Sequence, residues 1–259
     1  MSDLRLTLLQ AELHWQDATA NRAMFSKLIA ANANTSDLIL LPEMFATGFT
    51  LQAAASAEPG DGASADWLRQ QAVDNDTYLC GSVVIREQDK YFNRLFWAAP
   101  DGSLQHYDKR HLFRMAGEHK KYAAGTERLI VQLKDWRICP LVCYDLRFPV
   151  WSRSLNDYDL LLYVANWPAP RRSAWRTLLP ARAVENLCYC AGVNRIGKDG
   201  NDIAYSGDSL IADHLGNIVA DAKDQSVALQ ATLSLDKLNS YRDKFPAWKD
   251  ADQFEILNN

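Results

Sequence analysis

Two hydrophobic periodicities alternate along this chain. Leu4-Arg-Leu-Thr-Leu-Leu-Gln10 mixes apolar and polar residues in the manner of a strand buried on one face. Asp37-Leu-Ile-Leu-Leu41 instead runs apolar without a break, which predicts a strand covered on both faces, and Pro42 ends it. Between them, the spacing of Ala20, Phe25, Leu28 and Ile29 predicts a helix with one buried side, opened by Asp17 as its N-cap. A loop rich in Ala, Ser and Gly over 46–64 leads to a second short helix over 67–73. Strands follow over 78–85, 91–98 and 103–107, the last two joined through Pro100-Asp-Gly102. Residues 108–125 are polar and aperiodic, a long loop or irregular helix. A hairpin is predicted over 129–133 and 137–142, then a helix over 147–155, a buried strand over 159–164 and an amphipathic helix over 174–185. Further strands are predicted over 187–193, 208–212, 217–220 and 227–235, with turns at 198–201 and 214–217. Residues 245–257 hold Pro246 and Trp248 but no clear element; such an aromatic tail packs back on its own domain or reaches a neighbour.

Strands outnumber helices, helices recur between strands, and no linker, repeat or low-complexity segment divides the 259 residues. The simplest packing is a single α/β domain over 1–259, two sheets stacked face to face with helices on their outer faces. At 48% hydrophobic and 10% aromatic residues, the composition excludes a disordered polymer. The longest apolar runs, such as Leu160–Ala165, fall short of the roughly 18–20 residues that cross a bilayer, so no membrane partner is expected. Lys and Arg number 28 against 32 Asp and Glu, a net charge of −4, which argues against nucleic acid and suits a handler of small molecules. No basic region followed by an apolar run opens the chain, so no secretory signal is expected. The five cysteines, Cys80, Cys139, Cys143, Cys188 and Cys190, then read as reduced thiols of a cytoplasmic protein. Cys188-Tyr-Cys190 lacks the second pair or clustered His that would complete a tetrahedron, so no metal is expected.

Three positions are candidates for chemistry. Cys143 follows an apolar strand and precedes a helical stretch, a turn that lifts a side chain out of a sheet beside free backbone N–H groups. It is a nucleophile there, or a buried small hydrophobe as most free cysteines are. A thiol nucleophile needs a base. Among His14, His106, His111, His119 and His214, His106 and His111 flank a strand end and are the candidates for a papain-like partner. The other option is a carboxylate: Glu43 follows a buried strand and a proline, and Lys109 ends the strand 103–107. Three strand ends bearing Glu, Lys and Cys fit the rule that α/β folds build sites where strand ends converge.

Leu40-Leu-Pro-Glu-Met-Phe45, Tyr107-Asp-Lys-Arg-His-Leu-Phe113 and Leu141-Val-Cys-Tyr-Asp-Leu-Arg-Phe-Pro149 resemble the three signature segments of the nitrilase superfamily, the carbon–nitrogen hydrolases. Tyr163-Val-Ala-Asn-Trp-Pro168, Arg182-Ala-Val-Glu-Asn186 and the region from Val193 to Ser209 resemble its later segments, so the likeness runs over essentially the whole chain. Arg110–Met115, Ala165-Asn-Trp-Pro-Ala-Pro-Arg171 and Lys244-Phe-Pro-Ala-Trp248 are similar to the bacterial omega-amidase branch. That resemblance implies a four-layer αββα sandwich that pairs into a homodimer, with the tail over about 245–259 a candidate for the interface, and no cofactor. It implies hydrolysis of the terminal amide of 2-oxoglutaramate or 2-oxosuccinamate through a cysteine thioester. Cys143 is then the nucleophile, Glu43 the general base and Lys109 the electrostatic stabiliser, its ammonium favouring the Cys143 thiolate. Glu118 is the additional glutamate that positions Lys109 or the amide, and the backbone N–H of Tyr144 joins Lys109 in meeting the oxyanion. For a substrate carboxylate, Arg171 is the first choice, with Arg172 and Arg114 as alternatives; Arg147 is expected to pair structurally. Phe113 and Trp167 are apolar walls or core. Rival readings are another hydrolase of the superfamily, a papain-like protease, or an idle scaffold that keeps the fold.

Overall fold

The computed structural model describes residues 3–256. One sheet runs, in spatial order, Val227–Leu233, Leu4–Gln10, Leu38–Leu40, Tyr78–Glu87, Lys90–Ala98 and Leu104–Asp108, with the short Glu58–Pro59 beside Tyr78–Glu87. The other runs Ile218–Asp221, Leu210–Ala212, Tyr189–Asn194, Leu160–Ala165, Trp136–Val142 and Val131–Leu133. Each sheet has three parallel strands at its centre, Leu4–Gln10, Leu38–Leu40 and Tyr78–Glu87 in the first. Trp136–Val142, Leu160–Ala165 and Tyr189–Asn194 do the same in the second. Antiparallel strands flank both sets.

The inner faces meet in one core, where Leu6, Leu8, Leu40 and Trp97 pack with Trp136, Ile138, Leu160 and Leu162. On the outer face of the first sheet, the helices Ala18–Asn32 and Ala63–Asp74 lay Phe25, Ile29, Leu68 and Ala72 over Leu9, Ile39, Leu79 and Ile85. The helix Arg172–Asn186 covers the outer face of the second through Trp175, Leu179 and Ala183. It lies so close that a Cβ on Gly192 would stand 2.6 Å from the Trp175 ring. The layers therefore run helix, sheet, sheet, helix, as the patterning predicts.

Differences from the sequence reading have local causes. The helix expected over 147–155 is a 3-10 turn, Cys143–Arg147, followed by the four-residue helix Pro149–Ser152. Pro149 forces the break, since it holds Phe148 out of the helical region (φ −114°, ψ 90°). The strand expected from 187 begins at Tyr189, because Leu187 closes the preceding helix in the left-handed conformation. The hairpin Ile196–Lys198 and Ala204–Ser206 forms a small third sheet around the expected turn. The helix Leu235–Lys244 is new: its buried positions are Leu235, Leu238 and Arg242, a stripe too thin in apolar residues to register as periodic. The tail turns once through Ala247–Asp250, and Ile256 packs against the main core. Residues 257–259 of the proposed interface segment lie outside the described residues. No described helix is long and apolar enough to cross a membrane.

Candidate active site

Four strands deliver side chains to one place from their C-terminal ends: Glu43 after Leu38–Leu40, Lys109 after Leu104–Asp108, Cys143 after Trp136–Val142 and Asn166 after Leu160–Ala165. The loop after Leu40 is clamped by three bonds, from the N–H of Leu41 to Cys80 O (2.8 Å), of Phe45 to Ser82 O (3.0 Å) and of Met44 to Ser82 Oγ (2.8 Å). Lys109 is fixed through its N–H to Asn93 O and its carbonyl to the N–H of Gly125, both 3.0 Å. A Cβ on Gly125 would stand 2.1 Å from Asp108 O, so glycine is required for that approach. Cys143 has φ +44°, a left-handed conformation that β-carbon sterics disfavour and that persists where the surroundings enforce it.

Asp145 supplies that enforcement. One carboxylate oxygen accepts from the N–H of Val142 (3.0 Å) and the hydroxyl of Tyr107 (2.8 Å). The other accepts from the N–H of His111 (2.9 Å) and lies 2.8 Å from its Nδ1. The Cys143 turn and the Lys109 loop are thereby tied together. The His111 ring also stacks on Phe148, centroids 3.8 Å apart. Neither His111 nor His106 lines the cavity that holds Cys143.

Around Lys109 the charges are dense and dry. Its ammonium is 2.8 Å from Glu43 Oε1 and 3.1 and 3.0 Å from the two oxygens of Glu118. All three side chains are at most 1% exposed. Asn93 Nδ2 bridges the carboxylates, donating to Glu43 Oε1 at 2.7 Å and Glu118 Oε1 at 3.4 Å. The backbone N–H of Asn166 donates to Glu43 Oε2 at 2.9 Å, and its Nδ2 donates to the Glu43 carbonyl. Burial works against the charged form of Lys109, but Glu118 and Glu43 outweigh it and hold the ammonium's pKa well above 10.5. For Glu118 burial prevails over the pull of Lys109, and its pKa is raised.

The thiol departs from expectation. Lys109 does pull toward the thiolate, but burial and the Glu43 carboxylate push harder, and the Cys143 pKa lies well above 9.0. At rest the sulfur is a neutral thiol hydrogen-bonded to Glu43, so its proton has to be removed as it reacts.

A cavity of about 350 Å³ opens over this cluster. Glu43, Lys109, Cys143, Tyr144, Phe113, Trp167 and Arg171 all line it; Glu118 sits beneath, held by Lys109 and the N–H of Phe113. Arg172 is instead paired with Asp208, and Arg114 lies outside the lining. Arg147 reverses its expectation: it has no carboxylate partner among the described residues, and its guanidinium lies over Trp167, 5.1 Å from the ring centre, facing the cavity. Arg171 lies over Phe113 at 5.0 Å and reaches Met115 Sδ at 3.1 Å. Asn93, Asp145 and Asn166 had no assigned role in the sequence reading; a polar side chain at an inward strand position, as at Asn93, was the available signal. Among the described residues, no three His, Cys, Asp or Glu side chains gather as metal ligands.

The sequence profile of the carbon-nitrogen hydrolases matches residues 5–243. The chain is 53% identical to the omega-amidase YafV of Yersinia enterocolitica, covering 99% of this chain and all of that protein. It is 30% identical to the 2-oxoglutaramate amidase of Bacillus subtilis, over 95% of this chain and 96% of that one. Among solved structures, XC1258 of Xanthomonas campestris, a CN-hydrolase superfamily protein with an arsenic adduct in its active site, superposes with a TM-score of 0.96 at 48% identity, covering 99% and 100% of the two chains. A profile match over nearly the whole length, with half-identical relatives matched end to end, makes this chain a carbon–nitrogen hydrolase of the nitrilase superfamily.

Proposed function

We propose that the protein is an omega-amidase, releasing ammonia from the terminal amide of a short 2-oxo dicarboxylic acid monoamide such as 2-oxoglutaramate. The observation that carries this is the cavity itself. A thiol, a carboxylate and an ammonium meet at its floor, and two guanidiniums without carboxylate partners among the described residues, Arg147 and Arg171, face it from the wall. The floor suits acyl transfer, and the wall suits a substrate that ends in a carboxylate. The full-length likeness to an omega-amidase supports the same reading.

In this reading Cys143 is the nucleophile and Glu43 the base. As the sulfur attacks the amide carbon, Glu43 takes the thiol proton, which the raised thiol pKa makes necessary. Charge moves to the former carbonyl oxygen, where Lys109 and the N–H of Tyr144 receive it; one such donor is worth about 3–4 kcal/mol. Lys109 keeps its proton throughout, so it stabilises charge and transfers no proton. Glu43 then delivers its proton to the nitrogen, the carbon–nitrogen bond breaks and ammonia leaves a thioester. Water, deprotonated by Glu43, attacks that thioester and frees the 2-oxo dicarboxylate and the thiol. Glu118 positions Lys109, while Phe113 and Trp167 wall the acyl chain. A cytoplasmic homodimer that contacts through the tail completes the proposal.

The test is ammonia release from 2-oxoglutaramate beside glutamine, a simple nitrile and an N-carbamoyl amino acid. Selective turnover of the first is expected, abolished in Cys143→Ala. The double variant Arg147→Ala, Arg171→Ala should raise KM by at least about 100-fold with a smaller effect on kcat, since each charge-assisted bond contributes roughly 1.5–3 kcal/mol. An unchanged KM would remove both arginines from carboxylate binding, and preference for another compound would remove the substrate assignment.

A further inference from the structure

We infer that the side-chain oxygen of Asn166 accepts a hydrogen bond from the nitrogen of the scissile amide, and so favours primary amides over esters of the same acid. The inference rests on the amidase reading above and goes beyond it by assigning the contact that recognises the leaving group.

Asn166 is 4% exposed and lines the cavity. Its position follows from strand register: Val142 pairs with Val164, so Cys143 and Asn166 emerge from adjacent parallel strands about 4.8 Å apart. Its backbone N–H and one hydrogen of its side-chain amide are engaged. The backbone N–H goes to Glu43 Oε2 and Nδ2 to the Glu43 carbonyl, which fixes the orientation of the amide and leaves Oδ1 as the free end. That Oδ1 is buried and has no hydrogen-bond partner among the described residues. A buried acceptor without a partner is costly, and one in a pocket wall is satisfied by what enters the pocket.

The substrate supplies what is missing. A primary amide presents two N–H groups, and after attack by sulfur the nitrogen keeps both while its lone pair turns toward a proton. Glu43 is then the donor of that proton, and its Oε2 already receives the backbone N–H of Asn166. Glu43 Oε1 is in any case occupied by Lys109 and Asn93. Among other acceptors nearby, the Trp167 carbonyl is taken by Asn194 Nδ2 at 3.1 Å. Asn166 Oδ1 is left to receive one N–H, holding the nitrogen lone pair toward Glu43 as the carbon–nitrogen bond breaks. An ester leaving group has no N–H for it, and a site that leaves a buried polar group unpaired discriminates against such a substrate.

The experiment compares 2-oxoglutaramate with the 5-methyl ester of 2-oxoglutarate, which gives the same thioester, in the wild type and Asn166→Ala. Both substrates need Glu43 to take the thiol proton, but the amide also needs it to protonate the leaving nitrogen. Glu43→Asp, which displaces that carboxylate and leaves Asn166 Oδ1 in place, therefore gives the change in ratio that Glu43 damage alone produces, and the change in Asn166→Ala is read against it. The expected result is that the ratio of kcat/KM for amide over ester falls by about 10- to 100-fold in the variant. An unchanged ratio, whatever the absolute rates, overturns the inference and leaves Asn166 a structural support of Glu43. If Asn166→Ala does not fold, Asn166→Ser, smaller and still polar, is read by the same ratio. A wild type inactive on the amide refutes the functional reading instead, and the ratio is then taken with whichever amide the protein does hydrolyse and its own methyl ester.

Discussion

At the scale of single residues, the cluster at the cavity floor is balanced so that each group sets its neighbour's protonation. Lys109 stays charged because two carboxylates flank it, and Cys143 stays neutral because burial and Glu43 oppose the thiolate more strongly than Lys109 favours it. Glu43→Gln therefore does two separable things. It removes the proposed base, which should lower kcat by about 100-fold or more. It also removes a charge and a hydrogen bond that hold the thiol proton on, so the Cys143 pKa should fall while the catalytic rate collapses. The rate of alkylation by iodoacetamide against pH reads this directly: the midpoint should move to lower pH in Glu43→Gln and higher in Lys109→Met. A midpoint that stays put in both would mean that burial alone sets the thiol. Glu43, Lys109 and Cys143 were legible in the sequence because each is a reactive side chain just past the end of a strand that the pattern predicts. Asn93, Asn166 and Arg147 were not, since their significance lies in which atoms are left unpaired once two sheets meet, and no spacing encodes that.

At the scale of elements, the turn at Cys143 shows what propensity could and could not convey. An apolar strand running into Cys143 was clear from the pattern, and so was a helical stretch beyond it. Its splitting into a 3-10 turn and a four-residue helix follows from Pro149, and its left-handed start is held by Asp145. Asp145 is fully buried and accepts from Val142, Tyr107 and His111, which belong to two different sheets or their loops. Asparagine in its place keeps the volume but can accept on one arm only, leaving donors on the other without a partner. Each orphaned donor costs about 1–3 kcal/mol. With two donors on that arm, Asp145→Asn should thus lower the melting temperature by roughly 4–24 °C for a chain of this size, and lower kcat as Cys143 and Lys109 lose their common anchor. Thermal unfolding and steady-state kinetics on one preparation test both; normal kcat with reduced stability would confine Asp145 to a structural role. The helix Leu235–Lys244 escaped the sequence reading for a related reason: its third buried position is an arginine, and hydrophobic periodicity does not count a cation as core.

At the scale of the whole molecule, chemistry and fastening occupy opposite ends of the second sheet. The C-terminal ends of its parallel strands carry Cys143 and Asn166, while the N-terminal ends are bound together by Asp159. Its carboxylate accepts from Arg137 Nη2 at 2.7 Å and from Arg242 Nη1 at 2.5 Å, joining two strands to the helix Leu235–Lys244. The layered α/β architecture was legible because continuous apolar strands alternated with amphipathic helices; this clasp was not, because its three residues are 22 and 83 positions apart. Burial pushes the Asp159 carboxyl up, but the two guanidiniums outweigh it and hold its pKa below 3.8. A carboxyl with a depressed folded-state pKa contributes stability above its unfolded value, and that contribution is lost as pH falls through the folded one. Breaking a buried pair from one side costs about 3–5 kcal/mol. Asp159→Asn should accordingly melt roughly 6–20 °C below the wild type near neutral pH, with kcat/KM unchanged well below its melting point because the clasp lies away from the cavity. Acid should close the gap. Below about pH 4 the wild type loses what the variant never had, so the two melting curves converge as pH falls toward about 2. A gap that stayed constant across that range would place the stabilising effect of Asp159 in its shape and neutral hydrogen bonds, and would remove charge from the account of how the two ends of the sheet divide their work.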